Sequence, residues 1–186
     1  MKQAVLIALS ALIMATLACS IFVGGPNYPT ETVATPTDSG LNVQQQIQQA
    51  VAAAGQNGVI SVQLTEGQLT SYLVAASAQQ TDLTVSNPRV YLQNGNMLVL
   101  GRVTSGIFSA NVSLTMQASV DSSGQPQIQI LKTDFGPFAA PQGLNDAVTA
   151  FVREAFTGWL GPVATGFRLQ SITIGDGVMT VTGRVK

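Results

Sequence analysis

The chain has 186 residues, of which only 9% are charged, and its formal net charge is −1 at neutral pH. Soluble domains usually have about 25% charged residues, so this surface is unusually neutral, as in proteins outside the cytoplasm or beside a membrane. The chain has no histidine and one cysteine, which excludes His/Cys zinc sites, Ser-His and Cys-His catalysis, and an internal disulfide. Scattered Lys and Arg residues argue against binding to nucleic acid, and no cofactor or metal is expected.

The N-terminus has the order of a secretory signal. Lys2 gives a short positive start, residues 4–15 are apolar and uncharged, and Ala18 is a small residue before Cys19. This segment resembles the lipobox of bacterial lipoproteins, although Thr16 stands where those proteins prefer leucine. The resemblance implies that residues 1–18 are a lipoprotein signal peptide and that Cys19 receives a diacylglyceryl group. The protein would then lie on the extracytoplasmic face of a bacterial membrane, anchored by lipid.

Two other interpretations of this segment remain open. Residues 4–23 carry no charge over 20 positions, which is long enough for an uncleaved membrane anchor. Alternatively, Cys19 is incidental within an ordinary signal peptide. All three interpretations place the remainder of the chain outside the cytoplasm.

A spacer and a short helix are predicted next. Residues 19–40 read as a disordered tether, because Gly24–Gly40 contains three prolines and shows neither helical nor strand periodicity. Residues 41–56 read as a short amphipathic helix, with Val43, Ile47 and Val51 on one stripe.

Residues 57–186 are predicted to form one domain. A strand over 59–64 leads into Thr65-Glu66-Gly67-Gln68, which has the spacing of a capping box at the start of a helix. Asn94-Gly95 is typical of a type I′ hairpin turn between strands. Residues 111–120 alternate between apolar and polar side chains, which predicts a strand with one buried face.

The second half of the domain repeats this order. A strand over 127–135 and a loop lead into a helix whose apolar stripe starts at Leu144, and Gly161-Pro162 is predicted to end it. Residues 167–174 and 178–185 are predicted as the strands of a closing hairpin. "NGNMLVLGRV" from Asn94 and "DGVMTVTGRV" from Asp176 align without gaps, 82 residues apart (176 − 94). Two related helix-plus-hairpin units explain this similarity, and convergence between two good hairpins is the alternative.

The domain resembles the small extracytoplasmic lipid-binding domains of the LmeA and YpmS type and the YceB-like lipoproteins, which belong to or border the TULIP superfamily. The similarity lies in "LTEGQLTSYL", "NPRVYLQNGNMLVLGRV" and "FGPFAAPQGLNDAVTAFV" followed by "SITIGDGVMTVTGRV". It implies an α+β fold, in which a strongly curved antiparallel sheet wraps on two amphipathic helices and leaves an apolar groove for acyl chains. It implies no catalysis.

The leading hypothesis is therefore a membrane-anchored lipoprotein that binds or transfers a lipid, such as a phospholipid or prenyl lipid. The candidate lining residues are the large apolar side chains of the two helices and the central strands: Leu69, Tyr72, Leu73, Leu98, Leu100, Met116, Phe151, Val152, Phe156 and Trp159. The same residues would equally close a dry core.

Two other functions are weighed against lipid binding. One is an interaction lipoprotein of the cell envelope, with a closed core and no small ligand. The other is an enzyme that uses two of the carboxylates Glu66, Asp134, Asp146 and Glu154, but no spacing among them signals a catalytic pair. The oligomeric state is not predicted.

Overall fold

The computed structural model describes residues 21–22, 24–27, 46, 49–50, 52, 54, 58–78, 84–136 and 143–185. The predicted signal peptide, Cys19 and most of the predicted tether therefore lie outside the described residues. Within the predicted helix 41–56, Gln46, Gln49, Ala50 and Ala52 have helical backbone.

The described chain folds as α+β. Its elements, in chain order, are β1 (Ile21–Phe22), β2 (Val59–Thr65), α1 (Glu66–Ser77), β3 (Thr84–Gln93), β4 (Asn96–Ser105), β5 (Phe108–Val120), β6 (Pro126–Asp134), α2 (Leu144–Gly166), β7 (Phe167–Ile174) and β8 (Val178–Val185). The predicted hairpins, the alternating strand and the starts of α1 and α2 are confirmed.

The strands curl into a half-barrel with the helices. One hydrogen-bonded sheet has the order β1-β5-β4-β3, with β6 also paired to β5, and a second has the order β2-β8-β7. The predicted curved sheet with two helices is therefore present, but the prediction of one purely antiparallel sheet is wrong. The strands form two hydrogen-bonded sheets. In the first, β1 pairs with β5 in parallel, and periodicity within the predicted domain could not reveal a strand contributed by Ile21 and Phe22.

The sequence prediction for the end of α2 is also wrong. The helix continues through Gly161-Pro162 and ends at Gly166. A proline inside a helix removes one backbone donor and crowds one carbonyl. The residues after Pro162 nevertheless continue the helical backbone until Gly166, so the dipeptide does not act as a stop.

The capping box is present at the start of α1. The Gln68 amide donates to Thr65 Oγ1 at 3.3 Å, and the Thr65 amide donates to Gln68 Oε1 at 3.0 Å. Helix α1 also supplies a hydrogen-bond acceptor to the free edge of β3, because the Val90 amide donates to Thr70 Oγ1 at 3.0 Å. This helix is therefore fixed both to its own start and to the neighbouring strand.

The two related hairpins share more than their sequence. β4 begins at Asn96 and β8 at Val178, again 82 residues apart (178 − 96). The pairing of β3 with β4 shifts between residues 86 and 89, and that of β7 with β8 shifts between 169 and 171. Each irregularity lies opposite a glycine of the neighbouring strand, and these glycines, Gly101 on β4 and Gly183 on β8, occupy equivalent positions in the two hairpins. A bulge at an equivalent place is a fold-specific feature, which favours the interpretation as two related units.

The two hairpin turns also contact each other. The Asn94 amide donates to Asp176 Oδ1 at 3.3 Å, and the Gly177 amide donates to the Leu92 carbonyl at 2.9 Å. Equivalent turns therefore meet where the two sheets adjoin.

Residues 21–22 and 24–27 lie along the edge of β5. The Ile21 amide donates to the Ile107 carbonyl at 2.7 Å, and the Asn111 amide donates to the Gly24 carbonyl at 2.9 Å. A β-carbon on Gly136 would lie 2.5 Å from the α-carbon of Gly25, so the two backbones meet without room for a side chain. The first residues of the segment predicted as a tether are thus part of the folded domain.

Candidate functional site

Most of the candidate lining residues lie in one hydrophobic core. Leu69 and Leu73 on α1, Met116 on β5, and Phe151, Val152 and Phe156 on α2 all belong to this core and are at most 6% exposed. Tyr72 is half-buried at its margin. These seven side chains thus belong to one hydrophobic core or pack against it, and their role in lining a ligand groove stays a prediction.

Leu98 and Leu100 lie on the other face of the sheet. Met97 pairs with Met116 and Leu98 pairs with Thr115, and successive side chains of a strand point to opposite faces. The expectation that Leu98, Leu100 and Met116 line one sheet face is therefore wrong. Trp159 is within α2, but its side chain lies outside the described part of the chain.

The outer face of β3 and β4 has its own apolar patch. Leu100 is only 5% exposed there. Tyr91, which is half-buried and lies opposite Leu98 in the ladder, has a buried hydroxyl oxygen that makes no hydrogen bond to the residues that the structure describes. The central strands are thus apolar on both faces.

One margin of the core is only partly covered. A row of half-buried apolar side chains follows the β5–β6 hairpin and packs against the core: Ala118, Val120, Ile128 and Ile130. Ile130 pairs with Met116, and Ile128 pairs with Ala118. Helix α2 packs against β6, so this margin row lies at the seam between the helix and the hairpin. The alternation of isoleucine with glutamine over 127–130 was the sequence signal for it.

Burial affects one titratable group beside the core. Desolvation raises the pKa of the Tyr72 phenol above its usual value near 10. Tyr72 therefore stays neutral at physiological pH, and its ring packs against the hydrophobic core.

A groove of about 450 Å³ lies at the predicted first helix and β2, lined by Gln46, Gln49, Ala50, Ser61, Val62 and Gln63. Four of these six residues are polar and none is charged. Gln46 Oε1 is buried there without a hydrogen bond from the residues described. The groove suits neutral hydrogen-bonding groups rather than an acyl chain.

Two of the four carboxylates considered for an enzyme accept hydrogen bonds from backbone amides. Glu66 Oε1 accepts from the Leu92 amide at 2.6 Å, and Asp134 Oδ1 accepts from the Gly136 amide at 2.8 Å. Asp146 is exposed in the first turn of α2, and Glu154 is also exposed on that helix. Among the described residues, no three His, Cys, Asp or Glu side chains are grouped as metal ligands.

Neither helix within the described ranges is both long and apolar enough to cross a membrane.

Neither a protein family nor a curated protein matches this chain. Among solved structures, the chain is similar to a crystal structure of a lipopolysaccharide binding protein, with a TM-score of 0.33 and 12% identity. That similarity covers 69% of this chain and 50% of the other, so this chain spans about half the length of the protein that it matches. A TM-score this low does not establish a common fold.

Proposed function

We propose that this protein is a membrane-anchored extracytoplasmic lipoprotein whose TULIP-like domain binds or transfers a lipid. The observation that carries the proposal is the margin row, where four apolar side chains are only half-buried beside α2. Apolar surface left partly exposed next to a hydrophobic core favours contact with an apolar ligand.

The ligand would enter at the seam between α2 and β6. A small outward movement of α2 would join the margin row to Met116 and Phe156, which belong to the core that this row packs against. An acyl chain in this position would replace contacts that the helix gives up, at about 0.8 kcal/mol for each buried CH₂ group. No catalytic step is proposed, because Glu66 and Asp134 are already bonded to backbone amides.

Anchoring through Cys19 is the second part of the proposal. It rests on the lipobox resemblance and on the position of Cys19 only two residues before Ile21, which belongs to the folded domain. The lipid-binding domain would thus be held at the membrane that contains its ligands.

Native mass spectrometry tests lipid binding directly. The full chain, expressed with its own N-terminus in bacteria and extracted in mild detergent, should carry extra mass that denaturation removes and that matches a phospholipid or prenyl lipid. We expect Ile128→Gln to lower the lipid-bound fraction several-fold, because it places an amide in the margin row. Leu131→Gln is the matched control, since Leu131 is on the same strand but 47% exposed. A chain that stays empty when offered these lipids would contradict the proposal.

An interaction lipoprotein without a small ligand is the second candidate. It is favoured by the close packing of six candidate lining residues, all at most 6% exposed. In that case the wild type and Ile128→Gln would both be free of lipid in the native spectrum, and an envelope protein would copurify with each.

A further inference from the structure

A group of exposed apolar side chains lies at the tip of the β4–β5 hairpin. Ile21 and Phe22 on β1 are 55% and 53% exposed, and Ile107 and Phe108 at the hairpin are 54% and 43% exposed. These four residues are called the apolar tip. The other large hydrophobic side chains exposed in the described part of the chain are dispersed on three elements, at Val59, Val74 and Leu131. Concentrated exposure of this kind marks an interaction surface.

Backbone pairing holds the apolar tip together. Ile21 pairs with Phe108 in the parallel ladder, and the Ile21 amide donates to the Ile107 carbonyl at 2.7 Å. Gly106 has φ of +59° at the first position of the two-residue turn, as type II′ turns require. The hairpin therefore presents Ile107 at its end by a defined turn, and β1 fixes two more apolar residues next to it.

The chain leading into the apolar tip is the predicted membrane anchor. Cys19 is two residues before Ile21, and an extended chain spans at most about 3.6 Å per residue, so the two α-carbons lie within about 7 Å. Acyl chains on Cys19 would thus leave the protein beside the tip.

The charges around the tip suit a lipid surface. Residues 20–28 and 101–120 contain no Asp or Glu, so these two segments themselves carry no charge that repels anionic headgroups. Arg102 lies over the Phe22 ring, 5.0 Å from its centroid, and its Nε donates to Asn111 Oδ1 at 3.2 Å. A guanidinium next to an aromatic ring is a suitable partner for a phosphate at the interface.

We propose that the apolar tip inserts into the membrane that holds the anchor, so that the domain stands on its β4–β5 hairpin rather than moving freely on a tether. This inference rests on the proposed anchoring at the N-terminus and adds an orientation to it. Side chains that insert at an interface reach about 5–10 Å into the headgroup and acyl boundary, which the short distance from Cys19 permits.

Quenching by brominated lipids tests the orientation. The chain has a single tryptophan, so Trp159→Phe gives a background free of indole. Ile107→Trp then places an indole at the tip, and Leu131→Trp places one at a comparably exposed site beside Thr115. That site is seven residues further along β5, about 23 Å from the tip at 3.3 Å per residue. Phe108→Trp is a second tip variant if the first folds poorly.

The full-length variants are reconstituted into vesicles of phosphatidylcholine and phosphatidylglycerol with brominated acyl chains. We expect the fluorescence of Ile107→Trp to fall about twofold, because bromine quenches at contact and the tip lies at interfacial depth. Leu131→Trp should keep its fluorescence.

The other outcomes overturn the inference in distinguishable ways. If neither indole is quenched while the protein still floats with the vesicles, the tip does not insert but the anchor stands. Equal quenching at both sites would show a domain lying flat. Protection of the tip within a dimer would assign it to a second copy. Failure to float would contradict both anchoring and insertion, whereas an empty native spectrum with a quenched tip would contradict only lipid binding by the domain.

Discussion

Gly136 decides whether the N-terminal segment can lie on the domain. A β-carbon there would come 2.5 Å from the Gly25 α-carbon and 2.6 Å from the Gly25 nitrogen. Gly136 also has φ of +86°, a conformation that costs other residues about 1–2 kcal/mol. Steric room and backbone conformation therefore both require glycine at this position.

We predict that Gly136→Ala destabilises the fold more than Gly143→Ala. Gly143 has the same φ of +86°, but a β-carbon added to it would meet no atom within 4 Å, so it controls for conformational strain. Urea unfolding measures the two losses in free energy of unfolding. Hydrogen exchange at Asn111, whose amide donates to the Gly24 carbonyl, should accelerate only in Gly136→Ala. Equal effects of the two substitutions would show that the contact with Gly25 is unimportant.

Tyr72 links stability to pH. Because burial raises the pKa of its phenol, the folded state holds this proton more tightly than the unfolded state. Its contribution to stability is complete below about pH 10, the unfolded pKa, and is lost as the pH rises through the folded pKa. Urea unfolding at about pH 8 and above pH 10 should show a smaller loss for Tyr72→Phe than for the wild type. Identical losses of stability in the wild type and in Tyr72→Phe would show that the Tyr72 phenol is solvated rather than buried.

Among the elements, α1 protects the open edge of β3. Unpaired edge strands invite pairing with other chains, and here the Leu92 amide is bonded to Glu66 and the Val90 amide to Thr70. Leu92 is 1% exposed, so water cannot readily replace the carboxylate.

Glu66→Ala should therefore cost about 1–3 kcal/mol, since it leaves the buried Leu92 amide without an acceptor. Glu66→Gln retains an acceptor oxygen and should cost less. Chemical denaturation gives both values, and hydrogen exchange at Leu92 identifies the bond responsible. A substitution to alanine that leaves the Leu92 amide protected would contradict this role.

Local sequence signals predicted the elements well where the physical cause is local. The capping box at Thr65, the Asn94-Gly95 turn and the alternation over 111–120 each depend on neighbouring residues. The end of α2 was missed because Pro162 removes one donor without ending the helix. The pairing of β1 with β5 joins residues 87 positions apart (108 − 21), and no local pattern specifies such a pair.

The candidate site was only partly predictable for the same reason. Periodicity identified the apolar residues of α1 and α2 but could not assign Leu98 and Leu100 to the outer face. Half-buried residues such as Ile128 and Ile130 look like ordinary strand residues in the sequence, because their exposure depends on where α2 ends and packs. The apolar tip was not predicted, because Ile21 and Phe22 lie in the predicted tether and their pairing with the β4–β5 hairpin is not a local feature.

At the scale of the whole molecule, we propose that the domain stands directly against a membrane. The margin row is the proposed entrance for an apolar ligand, and the apolar tip is the proposed contact with the bilayer. The contact at the apolar tip depends on the N-terminus being attached to that bilayer, and β1 leaves only Ser20 between Cys19 and the folded chain.

The intact mass of the protein extracted from membranes is the most direct test of this attachment. Denaturing mass spectrometry should show a chain that begins at Cys19 and carries a diacylglyceryl group, and Cys19→Ser should abolish both the cleavage and the added mass. An unmodified chain that still begins at Met1 would contradict the lipoprotein assignment and leave an uncleaved anchor in its place. An unmodified chain cleaved elsewhere and released from the membrane would contradict the anchoring itself.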